Sequence, residues 1–164
     1  MKTAFTLVSL LFSNLLFCQN TFTRQLNGII SDTTNHFQKF KGKLQEFAVP
    51  DSFNCYSTII LEGTKENRIY TNRTICTYEA DIVDSVKKSN GKKILSEWKL
   101  ILMTALGSGY KIQENKTRMM NSKIVDGWYF DNGNLTISLH LFQSIWDKSL
   151  YGVGLSITNF HPVK

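Results

Sequence analysis

The sequence predicts an α+β domain in which two amphipathic helices pack on one face of a largely antiparallel sheet built from hairpins, in the order helix, hairpin, helix, meander. Three observations carry that prediction. Two stretches repeat apolar residues at helical spacing, several runs alternate at strand spacing, and Asp131-Asn132-Gly133-Asn134 is a strong hairpin turn.

The first helix is expected from Thr23 to about Phe40, where Phe22, Leu26, Ile29, Ile30, Thr33, Phe37 and Phe40 recur with polar residues between them and Gly42 supplies a stop. A short strand follows around Leu44 to Phe47, then a loop at Pro50-Asp51. The hairpin pairs a strand from Asn54 to Glu62 with a long one from Arg68 to about Val83, across the turn at 63–67. In the second strand Cys76, Tyr78, Ala80 and Ile82 face the core, while Thr77, Glu79 and Asp81 face away.

With Lys65 and Glu66 as a two-residue loop, counting back places Cys55 opposite Cys76 on the core face. In an oxidising compartment that register predicts a disulfide between Cys55 and Cys76; the competing reading is two buried free thiols.

The second helix opens at Ser89-Asn90-Gly91 and ends at Gly107-Ser108-Gly109, with Ile94, Leu95, Trp98, Ile101, Leu102, Ala105 and Leu106 forming its apolar face. Tyr110 to Met119 is expected to add a strand. Ile124 to Phe130 and Leu135 to Phe142 flank the hairpin turn, and pairing 131 with 134 sets Trp128 against Ile137 and Asp126 against Leu139. An acid on that apolar face is costly, so a bulge at Gly127 is expected to turn Asp126 outward. Thr136, Ser138 and His140 then lie together on the wetter face. A turn at Asp147-Lys148-Ser149 leads to a last strand from Tyr151 to Phe160. Helix followed by hairpin occurs twice, without any residue-level repeat.

Residues 1–18 read as a secretory signal peptide, with Lys2 as the charged start and an apolar run from Ala4 to Phe17; residues 19–164 form one α+β domain. Bulky Phe17 stands where the residue before a lipid-modified cysteine is small, so Cys18 is not expected to carry an anchor. No later stretch reaches the length and apolarity of a transmembrane helix, so no span is expected in the mature chain. The expected location is secreted or periplasmic. Losing Lys2 lowers the formal charge from +6 to +5.

Phosphate loops, dinucleotide fingerprints, paired zinc histidines, Cys-x-x-Cys and nucleophile elbows are all missing from the sequence, so neither a metal nor a cofactor is expected. The candidates for acid–base chemistry are His140 and Asp126, and the candidate ligand face is Thr136, Ser138 and His140. Trp128, Tyr129, Phe130, Trp146 and Tyr151 read as core and cross-strand packing. The basic residues are spread along the chain instead of gathered in one run, which argues against nucleic acid. The expected function is a non-catalytic binding or accessory module of the cell envelope or secreted fraction, with a protein, a glycan or a small apolar ligand as partner. The alternatives are a small hydrolase-like enzyme using His140 and an apolar-ligand carrier. The carrier requires a buried apolar cavity of about 300 Å³ or more.

Overall fold

A computed structural model describes residues 21–45, 52–72, 75–114 and 124–159. Helix α1 covers residues 21–31. Four strands follow: β1 (Lys41–Leu44), β2 (Ser52–Ser57), β3 (Glu66–Asn72) and β4 (Cys76–Val86). Helix α2 (Lys88–Leu106) leads to four more: β5 (Lys111–Glu114), β6 (Ile124–Asp131), β7 (Leu135–Gln143) and β8 (Tyr151–Asn159). All eight form one antiparallel sheet in the order β1-β2-β3-β4-β8-β7-β6-β5. The chain is therefore helix plus four-stranded meander, twice, with the second meander entering the sheet in reverse order and the halves joined at β4·β8.

One cross-strand row shows why these residues make this sheet. Leu44, Cys55, Ile69, Tyr78, Ile157, Ile137, Phe130 and Ile112 stand in register, one from each strand, so a single line of apolar side chains crosses the whole sheet. The inner six are buried and only the two ends are exposed. Phe22, Leu26 and Ile29 of α1 and Leu95, Trp98 and Leu102 of α2 join the same core. Phe22 meets Trp98 edge-on at 5.4 Å, which locks the two helices together over that row.

The first helix is shorter than its pattern predicts. It ends at residue 31 and the chain continues through two 3-10 turns, Thr33–Asn35 and Gln38–Phe40. Buried Asp32 is the cause: its carboxylate accepts from Lys39 N at 2.9 Å and Asn35 Nδ2 at 3.2 Å, offering the backbone an alternative to another helical turn. His36 and Phe37 take left-handed φ values of 55° and 57°, and Phe37 is thereby buried 6.1 Å from the Tyr78 ring. Apolar spacing continues through this segment, but helix does not.

The single strand expected from Arg68 to Val83 is two strands. β3 and β4 pair antiparallel with Thr71 opposite Cys76. A change of parity in the core-facing residues, from odd (Ile69, Thr71) to even (Cys76, Tyr78, Ala80), marks the reversal. That change also overturns the expected disulfide. Cys55 pairs with Ile69, which in turn pairs with Tyr78, so β3 stands between the two cysteines. Both are buried free thiols, and Cys76 Sγ instead meets Thr71 Oγ1 at 3.1 Å and the His36 carbonyl at 3.3 Å.

The 131–134 turn is present with a wider loop, Asp131 facing Thr136. Asn132 Oδ1 accepts from Asn134 N and Leu135 N, and Asp131 Oδ1 from Gly133 N, so two side chains hold four loop residues where two were expected. The register consequently moves by two, an even shift that keeps Trp128 and Phe130 on one face and Gly127 and Tyr129 on the other. Trp128 pairs with Leu139, and Asp126 with Leu141. The bulge expected at Gly127 is absent there: Gly127 pairs in regular register with His140, the irregularity falls earlier, between Ile124 and Asp126, and Asp126 keeps its place on the packed-face row opposite buried Leu141. Asp126 is half-buried and its own carboxylate accepts from Gly127 N at 3.0 Å. The leader at 1–18, the far part of the strand expected at 110–119 and Phe160 lie outside the described residues.

Candidate functional site

The sheet face turned away from the apolar row is built from hydroxyls, glycines and one charged network. One of its rows reads Tyr56, Arg68, Glu79, Ser156, Ser138 and Tyr129, and the next reads Glu66, Asp81, Gly154, His140 and Gly127. Thr77, Ser138 and Ser156 are buried although they belong to this face, while Tyr56 is exposed. Small residues thus floor a trough, and larger ones stand around it.

Toward the ends of β4, β7 and β8 the trough deepens into a groove of about 590 Å³. Arg68, Glu79, Asp81 and Asp84 form one wall, His140 and Phe142 with Gly152 and Gly154 the floor, and Ser144, Ile145 and Trp146 the rim. Arg68 Nε lies 3.1 Å from Glu79 Oε2 and its Nη2 3.0 Å from Asp81 Oδ2, so one guanidinium spans two carboxylates on neighbouring positions of a strand face. Lys65 Nζ reaches Asp84 Oδ1 at 2.8 Å and holds that carboxyl below its ordinary range. Asp81 is pushed up, first by burial, with Glu66 and Asp84 adding to the effect and Arg68 opposing it.

His140 is the deepest polar group of the groove. Sequence reasoning expects it on a wetter face, yet it is 9% exposed. Its strand neighbours explain this: Gly127 and Gly154 flank it in register, and without a Cβ on either the imidazole folds down onto the sheet beside Phe142, ring centroids 5.8 Å apart. Burial pushes its pKa down to about 4, with the Ser138 carbonyl pulling weakly the other way. The ring is therefore neutral at pH 7, and its Nδ1 is buried without a hydrogen-bond partner.

The rim is set by a tightly bonded loop between β7 and β8. Ser144 Oγ accepts from Trp146 N and Asp147 N, Asp147 Oδ1 accepts from Ser149 N and Ser149 Oγ, and Ser144 N donates to Leu150 O at 2.9 Å. This scaffold holds Ile145 exposed and Trp146 92% exposed. Trp146 accordingly departs from the packing role expected of the aromatics. Phe130 follows it in the core, and Trp128 and Tyr151 follow it against the core, under Lys99 and Lys88 respectively.

Of the candidates named from sequence, Thr136, Ser138 and His140 share one face of β7, but only His140 lines the groove. Asp126 is not part of it. Arg68 and Ile145 were not singled out by sequence reasoning; the polar position of Arg68 in the odd–even alternation of β3 is the one signal that points to it. Chemically the arrangement suits recognition better than proton transfer. An imidazole whose conjugate acid has a pKa of about 4 is a poor base at neutral pH, and the carboxylates nearest it are clamped by Arg68. Among the described residues no three His, Cys, Asp or Glu side chains come together as metal ligands, and no helix is long and apolar enough to cross a membrane.

Comparison with family models, curated proteins and solved structures gives no match to the chain.

Proposed function

We propose that the chain is an exported, non-catalytic binding module of the cell envelope or secreted fraction, and that it takes its partner in the groove beneath Trp146. One observation carries this reading. A loop whose polar groups are internally hydrogen-bonded holds a tryptophan 92% exposed at the rim of a groove floored by glycines and a buried imidazole. Exposing an indole this fully forgoes its burial, about 2 kcal/mol or more for so large a side chain. Tryptophan and arginine at the mouth of a pocket are the residue types that dominate binding energy at interfaces.

Support for a binding role over a catalytic one comes from His140, which burial makes a much weaker base than an ordinary imidazole. The carrier reading fits the groove less well, because its wall is charged. Export rests on the character of residues 1–18.

Two experiments test the reading. In 15N–1H spectra of the purified chain, a panel of peptides and glycans is screened for any that shifts the Trp146 indole and the Gly152 and Gly154 amides together; Trp146→Ala is expected to abolish that response. Ligands that shift only α2, or a Trp146→Ala protein that binds unchanged, would refute the groove as the site. Intact mass of the protein from its native host tests export, with loss of about 18 residues expected and a full-length mass overturning it.

A further inference from the structure

One wall of the groove is rich in carboxylates. Glu79, Asp81 and Asp84 contribute carboxylates to its wall against two cations: Arg68 donates Nε to Glu79 and Nη2 to Asp81, and Lys65 Nζ meets Asp84 Oδ1 at 2.8 Å, which leaves the second oxygen of each carboxylate for a further donor. Glu66 stands in register beside Asp81 and adds a fourth negative charge to the same corner. The chain as a whole is basic, at +6, so the negative sign here is local. A second observation is independent of those acids. His140, more than nine-tenths buried at the floor, keeps Nδ1 without a partner, and in the tautomer protonated at Nε2 that atom is an acceptor. A buried polar atom left unpaired costs free energy that a bound donor recovers. Trp146 and Phe142 supply ring faces at the same groove, and aromatic faces attract cations.

Resting on the groove as the binding site, we propose that it receives a basic side chain, the guanidinium of an arginine or the ammonium of a lysine, presented by a partner polypeptide. The stem of that side chain lies against Trp146 and Phe142, its N–H groups reach the carboxylates of Asp81 and Asp84, and a turn of the imidazole toward the groove uncovers His140 Nδ1 for a further donor. Two features favour a polypeptide over a free amine. The groove, at about 590 Å³, is several times larger than one side chain. It also opens onto a sheet face carrying Tyr56, Tyr70, Tyr129, Thr136 and Thr158, the tyrosine and hydroxyl composition of surfaces that bind protein.

The test titrates the full domain with four short alanine-based peptides that differ at one central residue: arginine, lysine, citrulline or glutamate. The Trp146 indole and Gly154 amide resonances report binding at the groove. Arginine and lysine peptides are expected to shift both, with citrulline, a neutral isostere of arginine, binding at least about tenfold more weakly and glutamate not at all. Asp84→Asn, at an exposed position that leaves the fold intact, is expected to weaken the arginine peptide several-fold, and Asp81→Asn further; added salt lowers affinity in parallel. Equal binding of citrulline and arginine peptides would overturn the cation inference while leaving the groove as a site. Peptide shifts confined to α2 would overturn both. Spermidine or arginine amide binding as tightly as the arginine peptide would replace the polypeptide by a free amine. Concentration-dependent shifts of the same two resonances without any peptide would identify the occupant as a second copy of this chain, and either result overturns the proposed partner.

Discussion

The imidazole of His140 lies over Gly154 so closely that a Cβ on that glycine would stand 3.1 Å from His140 Nε2. The two residues are cross-strand partners on β7 and β8. The absent side chain of one therefore creates the burial of the other, and that burial fixes the charge state of the groove floor.

The first consequence is a pH dependence of stability. A free imidazole titrates near 6.5, and His140 in the fold near 4. Because the folded value is the lower, the unfolded chain binds the extra proton between the two. Stability contributed at neutral pH is therefore lost as pH falls from about 6.5 to about 4, by about 3 kcal/mol in all. Urea denaturation from pH 7 to pH 4 is expected to show this loss in the parent and not in His140→Leu. Parallel curves would show that His140 is not buried neutral.

Glycines are expected to respond unequally, according to what a Cβ would meet. A Cβ on Gly127 would stand 2.6 Å from the Leu139 carbonyl oxygen and 3.2 Å from His140 Cα, both backbone atoms that cannot swing aside. Gly127→Ala should cost about 1–3 kcal/mol. Gly109→Ala, with nothing within 4 Å and no positive φ, should be neutral or stabilising by up to about 1 kcal/mol. Thermal or urea melts of the two variants measure the contrast.

Removing the guanidinium that spans Glu79 and Asp81 leaves two carboxylates side by side on the groove wall. All three side chains are about a third exposed, so solvent screens the loss. Arg68→Met is expected to cost about 1 kcal/mol, well short of the penalty for breaking a fully buried pair. The loss should shrink at acid pH, where a carboxyl can protonate, and chemical denaturation at pH 7 and pH 4 tests it.

Cys55 and Cys76 should behave as protected thiols. Neither is expected to react with iodoacetamide in the native protein, and both should react after unfolding without reductant. Burial raises the Cys76 pKa, which slows its reaction further. Peptide mass spectrometry reads the outcome, and alkylation that requires prior reduction would restore the disulfide.

Periodicity in the sequence identified what local chemistry controls. The apolar face and glycine stop of α2, the strands β6, β7 and β8 with their turns, and the shared face of Thr136, Ser138 and His140 all follow from spacing, because face is set by the residue's own position along its element. Helix followed by hairpin is the doubled order the sequence predicts, whereas the fold puts a four-stranded meander after each helix. Tertiary structure decided everything that depends on a neighbour distant in sequence. Asp32 ended α1 by capturing Lys39 N, against an apolar rhythm that continued. The reversal between β3 and β4 separated Cys55 from Cys76, because alternation reports a side chain's face and not its partner across the sheet. The pairing of β4 with β8 joined the two halves and carried Asp81 to the row of His140. Burial of His140 came from glycines on two other strands, and exposure of Trp146 from a loop that closes on itself before the indole can reach the core. The physical reason is the same in each case: backbone preference acts over a few residues, whereas register, burial and pKa are set by packing between segments far apart in the chain.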